Sequence, residues 1–109
     1  MDLINYSERR DQFMNHLSET FEDVKVYYAP PENVKLFYPC FVIDPGIVDN
    51  RYSNGKIYAS VVKFSVKYIT KHVDDYIIND FLKAQLYTSL DRVYTADNLR
   101  HYVFTVYLN

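Results

Sequence analysis

The residues whose types could support catalysis stand close together near the C-terminal end of the chain. Asp91, Asp97 and His101 supply two carboxylates and an imidazole, which a terminal hairpin could bring near one another. Such groups can exchange protons as general acids and bases. Polar residues beside a turn are also expected without catalysis, and the side chains of Asp97-Asn98 favour a turn by bonding to nearby backbone. We therefore predict that Asp97 and Asn98 are structural turn residues, and that Asp91 and His101 are structural too.

No other residue pattern indicates catalysis, a metal site or a cofactor site. The single cysteine, Cys40, can form no internal disulfide and belongs to no ligand cluster. Two glycines, Gly46 and Gly55, are too few for a glycine-rich phosphate loop. His16 lies off the apolar stripe of the first predicted helix and His72 lies in a polar turn, so neither indicates a metal site. The sequence thus predicts a protein that is not an enzyme, with no catalytic, metal or cofactor-binding residues.

Length and composition predict a single domain, residues 1–109, that acts through its surface. A net charge of −2 argues against nucleic acid as a partner. The N-terminus lacks a signal peptide pattern and no segment has the length of a membrane helix, so we expect synthesis in the cytoplasm and no membrane partner. Twelve Tyr and seven Phe are more rings than so small a core can bury, so several Tyr should lie in exposed contact surfaces.

The segment from Tyr58 to Thr70 predicts a long strand and organises the rest. Apolar and polar residues alternate there with a period of two, which is typical of a strand with one solvent-exposed face in an antiparallel or mixed sheet. Thirteen residues at roughly 3.3 Å each would reach about 43 Å, longer than the core of a small domain. Because Asn54-Gly55 is a strong signal for a type I′ turn, the projecting end should be a β-hairpin.

The remaining helices and strands are predicted from the spacing of apolar residues and from the positions of turn residues. Apolar spacing predicts a helix near residues 4–22 and a second from Tyr76 that could continue to Leu90, although we favour an end near Ala84. Shorter strands are predicted at 24–28, 40–44, 87–95 and 100–108, the last one covered on both faces. This order predicts an α+β fold: a two-layer arrangement with a mostly antiparallel or mixed sheet, two helices packed on one face, and an extended β-hairpin arm.

The polar segment between Ile47 and Ile57 reads as a long loop at the tip of that hairpin. Loops of such length are often functional, and Arg and Tyr are enriched at interface hot spots. We therefore predict that this segment contacts a partner through the following residues: Asp49, Asn50, Arg51, Tyr52, Ser53, Asn54 and Lys56.

Several short motifs, in order, resemble a family of small tailed-bacteriophage proteins known as tail terminator or tail completion proteins. The resemblance covers about residues 37–108 and rests on these stretches: Tyr38-Pro39-Cys40, Gly46-Ile47, Asp49 with Arg51-Tyr52, the long strand after Tyr58, Asp91-Arg92, Tyr94-Thr95-Ala96-Asp97-Asn98-Leu99, His101 and Val103-Phe104-Thr105. The N-terminal helix carries no such motif.

The resemblance implies a structural role in virion assembly. Members of that family form a homo-oligomeric ring, usually a hexamer, that caps the tail tube and joins it to the head-tail connector protein. The implied partners are other copies of the chain, the tail tube protein and the connector, and the implied location is the tail or neck of the virion. Two alternatives stay open: another neck protein, such as a head-closure protein or connector adaptor, and a small cellular ligand-binding module.

Overall fold

The computed structural model describes residues 6–72, 76–84 and 87–108, with the backbone alone at 47, 49–53 and 57–60. These residues form two helices and five strands in the following order: α1 (Tyr6–Thr20), β1 (Lys25–Tyr28), β2 (Cys40–Ser53), β3 (Lys56–Thr70), α2 (Ile77–Ala84), β4 (Thr88–Ala96) and β5 (Leu99–Leu108). The first helix falls within the predicted range 4–22, of which positions 4 and 5 lie outside the described residues. The second helix is described as far as Ala84 and β4 begins at Thr88, so the helix does not continue to Leu90 and the early end that we favoured is supported.

The five strands form one sheet in the order β1-β2-β3-β5-β4. Strands β1 and β2 are parallel, whereas the other three pairs are antiparallel. Since both helices pack on this mixed sheet, the predicted α+β class is confirmed. No helix in the described parts of the chain is both long enough and apolar enough to cross a membrane.

Strand β3 lies at the centre of the sheet and confirms the predicted alternation. Val62, Phe64 and Val66 are fully buried under the helices, while Lys63 and Lys67 face the other side and are partly exposed. We call these two sides of the sheet the helix face and the open face. β-branched and aromatic side chains fit the pleated, half-buried surface of a strand, and for this reason the segment forms a strand.

The main core lies between the helix face and the two helices. The ring of Phe81 in α2 lies 4.5 Å from Phe104 in β5 and 5.4 Å from Phe41 in β2, measured between ring centroids. The ring of Phe13 in α1 stacks on Phe64 in β3 at 5.6 Å. These aromatic contacts, together with the apolar area they bury, fix both helices on the same side of the sheet.

Our prediction for the segment after Asp44 was wrong. We expected a strand ending there and a loop from Ile47 to Ile57, but β2 continues to Ser53 and pairs with β3 as far as Lys56. The ladder is made by backbone groups, so a strand paired to a long neighbour needs no apolar side chains of its own. Only Asn54-Gly55 forms the turn, with φ of 53° and 76°, as a type I′ turn requires.

The prediction that β5 is covered on both faces was also wrong. Phe104 and Val106 are buried on the helix face, but the open-face residues Val103 and Thr105 are only partly buried and Tyr107 is 37% exposed. No element of the described chain packs over that part of the open face. Apolar residues at consecutive positions made both faces look covered, although β-branched residues and Tyr also suit a half-exposed face.

Candidate protein-contact surface

The β2–β3 hairpin extends beyond the rest of the sheet. β5 pairs with β3 only from Val62 to Thr70, so the rungs of β3 before Val62 pair with β2 alone. We define the arm as Ile47–Ser53, the turn Asn54-Gly55, and Lys56–Val61. The arm contributes to a molecular length of 51 Å against widths of 28 and 25 Å. At its tip, Asn54, Gly55 and Lys56 are exposed.

A β-bulge connects the arm to the core. Residues Pro45 and Gly46 of β2 together oppose the single residue Phe64 of β3, which shifts the register between Asp44 and Ile47. A side chain at Gly46 would place its Cβ 2.4 Å from the carbonyl oxygen of Lys63, so only glycine fits there. A proline is tolerated because bulges interrupt the ladder.

Helix α1 contacts this bulge through Tyr6. The Gly46 N–H donates a hydrogen bond of 2.7 Å to the Tyr6 phenol oxygen. The same oxygen lies 2.6 Å from the phenol oxygen of Tyr28 in β1, and the Arg10 guanidinium lies over the Tyr28 ring. Burial raises the pKa of Tyr28, and the hydrogen bond with Tyr6 raises it further. The base of the arm is thus attached to the first helix and the first strand.

The predicted contact residues fall on this arm. Asp49, Asn50, Arg51, Tyr52 and Ser53 lie in its β2 half, Asn54 is in the turn, and Lys56 begins β3. A second register shift, between Arg51 and Tyr52, leaves Tyr58 of β3 unmatched in the ladder. A bulge of this kind increases the local twist of a ribbon. The sequence therefore located the segment, while its structure is an extended ribbon.

The structure does not bring Asp91, Asp97 and His101 together as a catalytic site. The Asp91 carboxylate accepts hydrogen bonds from the hydroxyls of Ser89, at 2.7 Å, and of Thr105. The His101 ring stacks on Tyr94 at 4.6 Å, and its Nδ1 lies 3.1 Å from the Leu99 carbonyl oxygen. Asp97 and Asn98 form the two-residue turn between β4 and β5, with φ of 52° and 62°.

Metal ligands are likewise scattered over the described chain. No group of three or more His, Cys, Asp or Glu residues in the described ranges is arranged to hold a metal ion. Cys40 is fully buried in a small second core on the open face, with Val42 and Ile69. Burial raises the pKa of the Cys40 thiol to about 11, so the thiol stays neutral and unreactive near neutral pH.

A depression of about 580 Å³ lies between the end of α1 and the side of α2. Its floor is formed by core residues, including Phe21 and Ile77, and its rim carries the acidic residues Glu19, Glu22, Asp23 and Asp80 beside Lys83. Exposed carboxylates of this kind are the ordinary solvated surface of helix ends. We assign no binding role to this depression.

Sequence reasoning missed one exposed apolar surface, on the edge strand β4. Leu90 is 39% and Val93 is 45% exposed. Leu90 and Val93 are three residues apart, whereas residues on one face of a regular strand are two or four apart, and the bulge between them places both on the helix face. The break in alternation at Asp91-Arg92 was the available signal for a bulge.

Comparison of the sequence with protein-family models and with curated proteins finds no match.

Proposed function

We propose that this protein is a structural component of a bacteriophage virion, of the tail terminator kind, and not an enzyme. In this role it forms a homo-oligomeric ring, a hexamer by resemblance, that caps the tail tube in the neck and offers a docking surface to the head-tail connector protein. The observation that carries the proposal is the arm, a two-stranded ribbon that leaves the core and is held at a fixed bulge.

The arm supports an assembly role because the core does not require it. The helices pack on the segment of β3 that is also paired with β5, whereas the rungs from Lys56 to Val61 have only β2 beside them. A long isolated ribbon is marginally stable by itself and gains stability when a neighbour covers it. Exposed edges of a sheet can also accept a strand from a neighbouring subunit.

Exposed tyrosines support the same proposal. Tyr76 is 71% and Tyr87 is 60% exposed, and Tyr38 and Tyr107 are each exposed by more than a third. Tyr provides large contact area with little loss of side-chain entropy, and for this reason it is enriched in interfaces. The resemblance of the sequence motifs to those of tail terminator proteins is our reason for proposing this kind of assembly.

The proposal is tested by the mass of the protein with and without its template. We expect light scattering to give a multimer, and electron microscopy to give closed rings, either for the free protein or after addition of tail tube protein. A protein that stays monomeric both alone and with tail tube protein would refute the proposal. Binding to the connector without binding to the tail tube would instead favour a head-closure protein or connector adaptor. Binding of a small molecule, with no virion partner, would favour a cellular ligand-binding module.

A further inference from the structure

Strand β4 forms one edge of the sheet. It pairs with β5 on one side, and no strand of the described chain lies on its other side. The strand is nine residues long, which exceeds the usual five or six, and most of its side chains are exposed. A long exposed edge of this kind can pair with another chain unless something in it prevents pairing.

A bulge at Asp91 gives this edge an unusual symmetry of side chains. Leu90 lies opposite Phe104, and Val93 lies opposite Tyr102, so both face the helix side. Asp91 and Arg92, in between, both face the open side: Asp91 bonds to Thr105, and Arg92 lies 4.5 Å above the centroid of the Tyr94 ring. Counted outward in either direction from the point between Asp91 and Arg92, the side chains therefore lie on the two faces in the same order: open face, helix face, open face, helix face.

The backbone has the same symmetry. The Tyr107 N–H donates to the Tyr87 carbonyl at 2.9 Å, so the polar backbone groups of Tyr87 point towards β5. By alternation those of Thr88 and Leu90 point outward. At the other end the Asp97-Asn98 turn directs Ala96 inward, so that Thr95 and Val93 point outward. Outward-pointing groups thus occur at equal distances on either side of the bulge.

We propose that the β4 edge pairs antiparallel with the β4 edge of a second copy of this chain, about a two-fold axis between Asp91 and Arg92. In this register Leu90 lies opposite Val93 of the second copy, and Thr88 opposite its Thr95. Asp91 lies opposite Arg92 of the second copy, and each of these contacts occurs twice. Charge complementarity identifies the occupant as an identical strand, since carboxylate and guanidinium meet on the same face in both halves.

The bulge makes this contact specific. A bulge usually protects an edge, because a regular strand cannot match its faces and hydrogen bonds across it. Two identical bulges related by a two-fold axis do match. The two-fold contact is also different from the head-to-tail contact that closes a ring. The proposed β4 dimer therefore does not depend on the proposed function. It would join pairs of subunits or pairs of rings.

Charge-reversal variants test the contact by sedimentation equilibrium. Arg92→Glu and Asp91→Lys each place like charges opposite each other twice, so each alone should weaken the dimer by about a hundredfold or more. An equal mixture of the two variants should recover a dimer, because every pair is then opposite in sign. Lys35→Glu, in the loop beyond the far edge of the sheet, is the control for the change of charge and should leave the dimer unchanged.

Cysteine cross-linking tests the register without altering charge. A mixture of Leu90→Cys and Val93→Cys should form a disulfide-linked dimer, whereas each variant alone should not, since its own cysteines lie too far apart across the axis. The native Cys40 is fully buried and does not compete. A wild-type protein that remains monomeric at about millimolar concentration, a mixture of charge variants that stays dissociated, or cross-linking of each variant alone would overturn the proposal.

Discussion

The backbone N–H of Gly46 donates a hydrogen bond to the phenol oxygen of Tyr6, which lies 40 residues earlier in the chain. This contact connects the first turn of α1 to the bulge from which the arm extends. The Tyr6 ring also packs beside Phe64, at 5.6 Å between centroids, directly opposite the bulge. The direction of the arm is therefore fixed by helix packing as well as by the sheet.

Tyr6→Phe should lower the free energy of unfolding by about 1–2 kcal/mol, because it leaves the Gly46 N–H and the Tyr28 hydroxyl without this partner while preserving the ring. Urea denaturation measures the change. Tyr27→Phe is the matched control, since its hydroxyl accepts an exposed hydrogen bond from the Phe37 N–H. Equal effects of the two substitutions would contradict a special role for Tyr6.

Gly46→Ala should destabilise the protein by about 1–3 kcal/mol, because the added methyl group meets the Lys63 carbonyl oxygen and the backbone must move. Gly55→Asn is the control, because the turn position has open space and Asn tolerates its positive φ. Thermal melting of both variants makes the comparison. A Gly46→Ala protein as stable as Gly55→Asn would show that the bulge accommodates a side chain.

Alkaline pH should destabilise the protein through Cys40. The thiol has a pKa of about 11 in the folded state and about 8.5 in an unfolded chain, so the unfolded state loses its proton first. The contribution of the protonated Cys40 thiol to the free energy of unfolding is complete below the pKa of the unfolded chain. It is lost as the pH rises towards 11. The raised pKa of Tyr28 acts in the same direction at higher pH.

The Cys40 prediction is checked by melting temperatures between neutral pH and pH 11 for the wild type and Cys40→Ala. The variant should be less stable at neutral pH, because a cavity forms, but should lose less stability as the pH rises. Iodoacetamide should alkylate the thiol in urea and leave the folded protein unmodified. Rapid alkylation of the native protein would contradict the burial of this residue.

His101→Gln should leave assembly intact and cost about 1 kcal/mol or less, because the substitution removes the stack on Tyr94 and the contact with the Leu99 carbonyl. Titration calorimetry with Zn²⁺ or Mg²⁺ should detect no stoichiometric binding to either protein. Binding to the wild type that disappears in the variant would identify a metal site that we do not predict.

The double substitution Arg51→Ala/Tyr52→Ala tests the arm as the partner-contacting element. Surface substitutions usually change stability by about 0.5 kcal/mol or less, so if these two residues serve assembly alone, the melting curve of the subunit should stay nearly unchanged while head-tail joining fails. Complementation, scored by counting joined particles, measures the effect. Lys35→Ala/Phe37→Ala removes another cation and aromatic ring, which lie 5.8 Å apart outside the arm, and should spare joining. Normal particle yield from the arm variant would refute the role.

Local sequence signals determined much of the fold. The alternation in β3, the apolar spacing of both helices and the turn residues Asn54-Gly55 and Asp97-Asn98 act within a few residues, through side-chain direction and permitted φ. For that reason the α+β class, the hairpin and the end of α2 could be predicted. The polar segment could also be placed beyond the core, because it lacks the apolar residues that a core requires.

Only the tertiary structure decided how those elements meet. The parallel pairing of β1 with β2, the continuation of β2 to Ser53 and the bulges at Gly46 and Asp91 depend on neighbouring strands distant in sequence. Backbone pairing is nearly independent of side-chain type, so a polar segment is equally compatible with a loop or with a paired ribbon. Register and edge exposure are properties of the assembled sheet, and they determine both the position of the arm and the symmetry of β4.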